Sequence, residues 1–316
     1  MIDLENKNSP VLLITYKRPK NTEKLINILI DNKIKNIFIY NNGSLNDLDL
    51  EDCKKTKNIV KKYSDLHNNI RTLFKEKNTG LKYNIPEALD WVFETFDRTI
   101  ILEDDCFPDK SFFKFCNILL EKYNNDQRIA QISGNNFLNF RDYVRRNNDS
   151  YFFSKFTSSW GWATWKDKWQ SVYDEDIRLW PIFKNEGWIK DFLKNEKSEN
   201  FWTKYLERRY QLKDDDWDKP WTLANFMNNR LSIFPNKNLI SNTGNDSAAA
   251  HKNPKKWNSM KLEEMKFPLK HPKFIVCDTQ VDDFITSQGF SNPKLVYRIK
   301  NKIKKLFLYF FLKFLY

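Results

Sequence analysis

Cysteine is sparse and scattered along this chain. Cys53, Cys106, Cys116 and Cys277 form no C-x-x-C pair and no zinc-binding spacing. They read as ordinary reduced thiols, which predicts a cytosolic protein. Histidine is limited to His67, His251 and His271, so any histidine chemistry rests on three positions. No helix-turn-helix pattern, zinc-finger spacing or RNP-type motif is present, which argues against nucleic acid as a partner. The amino-terminal residues Met1 to Asn8 are polar and run straight into an apolar segment, unlike a secretory signal. The longest apolar run, Leu306 to Leu312, is far short of the roughly 20 residues a membrane-spanning helix needs. Internal repeats and long flexible linkers are absent as well.

What is present supports a substantial core. The chain has 316 residues, 41% hydrophobic and 30% charged. Its apolar residues fall in short periodic runs, which excludes wholesale disorder. Aromatic residues make up 16% and include 11 tryptophans, more than a core ordinarily needs. Some of these rings are expected to line a groove where sugars can stack. The net charge of +12 is partly local. Lys294, Arg298, Lys300, Lys302, Lys304, Lys305 and Lys313 stand in a stretch without an acidic residue, followed by aromatics. That pattern predicts an interfacial helix on an anionic membrane leaflet, or a terminal helix docked on protein.

Short apolar runs alternate with amphipathic stretches through residue 150. Strands are predicted at Val11 to Tyr16, Ile37 to Tyr40, Ile70 to Phe74, Thr99 to Leu102 and Ile129 to Ile132. Helices are predicted from Asn21 (capped by that residue), and over Lys54 to Lys62, Ile85 to Phe96 and Ser111 to Tyr123. Such alternation specifies an α/β fold with a mostly parallel sheet sandwiched by helices. Ligands of such sheets bind beyond the carboxyl ends of the strands. Thr15 to Arg18, Asn41 to Ser44 and Glu103 to Asp105 lie at those ends and should share one crevice. After residue 150 the alternation fades. Trp188 to Lys213 and Trp221 to Asn229 read as helices and Leu231 to Phe234 as a strand. The expected organisation is one domain over 1–293, with a nucleotide-sugar half (1–150) and an acceptor half (151–293). A separate basic-aromatic tail (294–316) follows.

Four places could carry chemistry. Glu103-Asp104-Asp105 gathers three mutually repelling carboxylates at a strand mouth, a cost that a hard divalent cation relieves. The alternative is an acidic loop capping the next helix. Within Asp214-Asp215-Asp216-Trp217-Asp218, a carboxylate could serve as a general base, and Asp218 also suits a helix N-cap. His251 follows a polar, small-residue loop that could close over a ligand; it reads equally as a surface residue. In Ser159-Trp160-Gly161-Trp162, the glycine between two indoles would let a ligand approach the backbone, unless the segment is an aromatic core corner.

Taken in order, these segments resemble bacterial GT-A glycosyltransferases related to the N-acetylglucosaminyltransferase I group. The resemblance runs through VLLITYKRP, NTGLKYNIPEALDWVFE, TIILEDDCFPDKSFFKFCNILLEKY, IAQISGNNF, SSWGWATWKDKW, DDDWDKPW and FPNKNLISNTGNDSAAAHK. It implies a GT-A (Rossmann-like) fold with a C-terminal amphipathic helix. It further implies an inverting, Mn2+- or Mg2+-dependent transfer from a nucleotide-sugar donor, here a UDP-sugar. The Glu103-Asp104-Asp105 segment resembles the DXD-type motif, with Asp105 and His251 as metal ligands. Thr15, Arg18, Asn41, Asn78, Gly80, Lys82, Glu103 and Asp104 would bind the donor. Trp160, Gly161, Trp162 and Trp221 would form the acceptor or sugar wall. Asp218 would be the catalytic base, with Asp216 in reserve. The acceptor would be a glycan or glycolipid of bacterial surface polysaccharide or lipooligosaccharide synthesis. The protein would sit peripherally on the inner face of the cytoplasmic membrane. A sugar nucleotidyltransferase is the rival enzyme reading, although Thr15 to Lys20 has none of the glycines its loop would carry. A non-enzymatic polysaccharide- or lipid-binding protein is the other rival.

Overall fold

The computed structural model describes residues 8–138, 148–244 and 260–287. Strand β1 (Val11–Thr15) is flanked by β2 (Ile37–Asn41) and β4 (Arg98–Glu103), and β3 (Ile70–Phe74) lies outside β2, all parallel. Every residue of β1 and β2 is buried, as expected of strands covered on both faces. Helices α1 (Pro19–Asp31), α2 (Leu50–Leu66), α3 (Leu81–Phe93) and α4 (Phe112–Lys122) provide the cover. β5 (Cys106–Pro108) follows β4 directly, and β6 (Ile129–Ser133) follows α4. The expected mostly parallel α/β architecture is therefore present.

The second half completes the same sheet. β7 (Tyr151–Ser154) and β8 (Trp162–Trp165) lie in the aromatic stretch that gave no strand signal in the sequence. β8 inserts antiparallel between β4 and β6, β9 (Leu231–Pro235) pairs parallel with β6, and β7 closes the far edge antiparallel to β9. The eight-stranded order is β3-β2-β1-β4-β8-β6-β9-β7. β8 was hidden because WATW is buried on both faces, so it lacks the alternation of a half-exposed strand. A second, two-stranded sheet pairs β5 with β10 (Ile240–Asn242).

Several boundaries differ from the sequence reading. α1 begins at Pro19 with Arg18 in the N-cap position, not at a capping Asn21; proline's fixed φ suits the first turn. α2 extends beyond Lys54 to Lys62 at both ends, and α3 starts four residues early, behind Gly80 at φ +89. The Trp188 to Lys213 stretch breaks at Lys194, in the left-handed region, into α7 (Trp188–Leu193) and α8 (Glu196–Tyr210). These follow two short helices, α5 (Lys166–Gln170) and α6 (Trp180–Asn185). α9 spans Asp218–Met227, so Asp218 is its first helical residue and Trp217 holds the N-cap position expected of Asp218. α10 (Thr279–Ile285) packs on β7. The predicted tail helix lies outside the described residues. Among those described, no helix is long and apolar enough to cross a membrane.

Two apolar clusters fill the two faces of the sheet. One joins α1 and α4 to β1, β4 and β6; the other joins α3 to a group of indoles, Trp162, Trp169, Trp217 and Trp221. A third lies under α8 and α9.

Candidate active site

The carboxyl ends of β1 and β4 lie side by side, with Ile14 in register with Glu103. The chain leaving β1 closes at once on the acidic segment. Tyr16 N donates to Asp104 Oδ2 at 3.0 Å, and the Arg18 guanidinium donates to Asp104 Oδ1. The same Nη1 lies 3.6 Å from Asp105 Oδ2. Arg18 is therefore already engaged with the cluster it was expected to join.

Asp105 is held from the opposite side by the chain leaving β10. Asn242 Nδ2 and Cys106 Sγ both donate to Asp105 Oδ1, at 3.1 and 3.3 Å, and Thr243 N donates to the Asp105 carbonyl at 2.9 Å. A Cβ on Gly244 would fall 2.2 Å from Asp105 Oδ2, so a larger residue there would displace this carboxylate or the chain beside it. The β5–β10 ladder, with Asn242 opposite Cys106, sets this approach. Asn242 and Gly244 were not singled out from sequence, although both lie in the NTGND run. His251 follows shortly after Gly244 and lies outside the described residues.

Electrostatics tie Asp218 to the same cluster. Burial raises the Glu103 carboxyl well above the usual range, and the charges of Asp105, Asp104 and Asp218 push it further. Asp104 is pushed up to about 6, because burial outweighs the pull of Arg18. The charge of Asp218 therefore bears on Glu103 although 115 positions separate them in sequence. Its position is set by Trp217, whose indole stacks on that of Trp162 in β8.

Asp216 has other partners. It is 5% exposed, ion-paired to Lys219 Nζ at 2.5 Å and 3.8 Å from Arg209 Nε. Arg209 also donates to the Asp216 carbonyl. Asp214 bonds Arg208 and Lys219, and those contacts hold its carboxyl well below the usual range. Asp216 therefore anchors the acidic loop, a task the sequence gave no reason to assign. Asp215 leans on the start of α3, accepting from Lys82 N at 3.3 Å.

The remaining expected donor residues divide into two groups. Thr15 and Asn41 are buried and bonded to each other, Asn41 Nδ2 to Thr15 Oγ1 at 2.9 Å. Asn78 Oδ1 accepts from Gly80 N and Asn84 Nδ2, which shapes the turn into α3. The Lys82 ammonium turns to Asp176, 2.7 Å away. The bonds of these residues run to one another and to neighbouring loops, not to Glu103, Asp104 or Asp105.

The expected sugar wall is only partly at a surface. Trp162 and Trp221 are at most 1% exposed, with Trp221 Nε1 donating to Gln131 at 2.7 Å. Trp162 thus lies in the core corner that the sequence left open as an alternative, and Trp221 is buried beside it. Gly161 has φ +55, and its missing Cβ leaves room for Ile240 and Leu102, so the close approach is to β10. Trp160 remains half-exposed beside Phe137.

Among the described residues, no group of three or more His, Cys, Asp or Glu side chains is arranged to hold a metal ion. The chemistry of the donor set nevertheless fits a hard cation. Asp105 and Asp104 add to the raising of Glu103, Arg18 offsets only part of their charge, and the carboxylates here offer only oxygen donors.

No family model matches the chain, and no curated protein does. Solved structures share its outline at low identity. A mannosyltransferase from Pyrobaculum calidifontis in complex with GDP-Man and Mn2+ aligns over 70% of this chain and 69% of its own, at 10% identity and TM-score 0.41. A UDP-glucose pyrophosphorylase complexed with UDP-glucose aligns over 72% and 90%, at 8% identity and TM-score 0.35. A 4-diphosphocytidyl-2C-methyl-D-erythritol synthase from Anaerococcus prevotii DSM 20548 aligns over 64% and 100%, at 12% identity and TM-score 0.30. At such scores these likenesses carry no argument about the reaction. The class rests on the sheet itself, which is α/β with six parallel strands and two reversed.

Proposed function

We propose that this protein is a metal-dependent inverting glycosyltransferase. It moves a sugar from a nucleotide-diphosphate donor, a UDP-sugar, to a hydroxyl of a glycan or glycolipid acceptor. The product belongs to bacterial surface polysaccharide or lipooligosaccharide. The observation that carries this reading is the gathering of Glu103, Asp104 and Asp105 at the carboxyl edge of the sheet, with the charge of Asp218 bearing on Glu103. Such an edge is where ligands of α/β sheets bind.

Each group has a distinct task. Asp218 accepts the proton of the acceptor hydroxyl. The hydroxyl oxygen bonds to the anomeric carbon on the face opposite the diphosphate. The bond from that carbon to the diphosphate oxygen breaks, and the nucleoside diphosphate leaves with the electron pair. Arg18, beside both Asp104 and Asp105, lies where it can shift toward the diphosphate oxygens. Asp105, with His251 as the second expected ligand, would hold a Mn2+ or Mg2+ ion, which would supply charge neutralisation for the leaving diphosphate. Trp160, half-exposed, is the ring placed to meet the sugar; Trp162 and Trp221 act from the core by fixing α9.

The test is a panel of nucleotide sugars incubated with the protein and Mn2+, read for nucleoside diphosphate and for pyrophosphate. Nucleoside diphosphate release that depends on Mn2+ is expected. Pyrophosphate formation from a sugar phosphate and a nucleoside triphosphate would establish the nucleotidyltransferase instead. Binding of polysaccharide or lipid with no turnover of any donor would leave only the binding-protein reading.

A further inference from the structure

The far edge of the sheet carries a surface that the catalytic reading does not use. β7 is the edge strand, and the chain from Lys270 to Cys277 runs along it. Ser150 N donates to the Lys270 carbonyl, Asp278 N donates to the Phe153 carbonyl, and Cys277 bridges parallel to Phe153. This covering segment satisfies an edge that would otherwise invite pairing. Ile275 turns inward and packs against the core, so its neighbours Phe274 and Val276 project outward, 74% and 66% exposed. They form an exposed apolar pair on one short segment.

The surrounding charge identifies the partner. Residues 265–277 contain Lys266, Lys270 and Lys273, all exposed, and no acidic residue. The preceding acids are already paired, Glu263 with Lys237 at 2.6 Å and Glu264 with Lys110 at 3.1 Å. His271, itself exposed, bonds the Tyr151 hydroxyl and feels the charges of both Lys122 and Asp149. α10 packs on the same β7, so the chain leaves residue 287 from this edge and continues into the basic run from Lys294 to Lys313.

We propose that the outward face of the 266–276 segment docks this protein on an anionic lipid surface. Phe274 and Val276 insert at the headgroup boundary while Lys266, Lys270 and Lys273 meet the anionic headgroups. The other occupants fit less well on charge. The chain's own C-terminal stretch is strongly basic, and a second copy would bring the same lysines face to face. An anionic leaflet complements both the patch and the stretch that follows it.

The test uses the full-length chain and vesicle flotation. Vesicles of phosphatidylcholine alone are compared with an equimolar mixture of phosphatidylcholine and phosphatidylglycerol. The unaltered protein should float with the anionic vesicles only, and added salt should weaken the binding. The double variant Phe274→Asp, Val276→Asp should bind about tenfold more weakly or worse. Phe274→Ser, Val276→Ser, which adds no charge, should fall in the same direction. Both variants should melt like the unaltered protein, because neither side chain is buried. Equal flotation of either double variant and the unaltered protein would assign membrane binding to the C-terminal stretch and overturn the proposal. So would an unaltered protein that ignores anionic vesicles, or a dimer in solution that both variants dissolve.

Discussion

The indole of Trp162 lies on that of Trp217 with ring centroids 5.1 Å apart and planes 18° from parallel. Trp162 belongs to β8, whose register places it beside Ile101 of β4, and Trp217 immediately precedes Asp218. One ring pair thus links the strand that ends in Glu103 to the helix that begins with Asp218. Trp162→Phe keeps an aromatic ring but leaves a gap beneath Trp217, costing on the order of 2 kcal/mol of stability. Because the gap loosens Asp218, turnover should fall by more than donor affinity does. A lower melting temperature with unchanged turnover would show the stack to be packing alone.

Asp218→Asn and Asp216→Asn should behave differently although the two residues are only two apart. The first removes the proposed base and should lower transfer by about 100-fold or more with donor binding nearly intact. The second breaks a buried ion pair with Lys219 and should cost about 3 kcal/mol of stability. Steady-state kinetics beside thermal melts separate the two. If Asp216→Asn abolishes transfer in a protein that melts normally, the base has been assigned to the wrong carboxylate.

Much of this geometry was legible in the sequence, and for a definable reason. The parallel strands announce themselves as short apolar runs, and Glu103 to Asp105 stand at the end of one. The antiparallel insertion of β8 was not legible, because its four residues are buried on both sides and carry no alternation. Without β8, Trp162 looked like a ring for sugar stacking, whereas tertiary contacts bury it against Trp217. The resemblance ranks Asp218 ahead of Asp216 as the base; the ion pairs that set Asp216 apart come from Lys219 and Arg209, and Arg209 lies in the preceding helix. Asn242 and Gly244 act through a small sheet whose pairing spans more than 130 residues, beyond the reach of local pattern.

Metal-free stability should depend on pH through Asp104. An unfolded aspartate titrates near 3.8, whereas burial holds the folded Asp104 at about 6. The folded state therefore keeps a proton that the unfolded chain has lost. The associated stability is fully present below the unfolded value and is lost as pH rises through about 6, by on the order of 3 kcal/mol. Glu103, also raised, adds a change of the same sign. Asp104→Asn should flatten the slope of melting temperature against pH in the metal-free protein between the two values. Parallel slopes for the variant and the unaltered protein would remove Asp104 as the cause.

Asp105 and Gly244 should fail together. Asp105→Ala removes the carboxylate proposed to hold the cation, so nucleotide affinity should no longer change on adding Mn2+. Gly244→Ala leaves that carboxylate in place but sets a methyl group 2.2 Å from its Oδ2, closer than nonbonded atoms approach. Either Asp105 swings away or the chain leaving β10 lifts, and both shifts disturb the hydrogen bond from Asn242. Gly244→Ala should therefore reproduce most of the loss of Mn2+-dependent binding while the metal-free affinity stays close to its starting value. Titration calorimetry with the nucleoside diphosphate, with and without Mn2+, reads both effects. A Gly244→Ala protein with a full Mn2+ response would mean that Oδ2 is not the atom that meets the metal. An Asp105→Ala protein with a full response would move the metal site away from this carboxylate altogether.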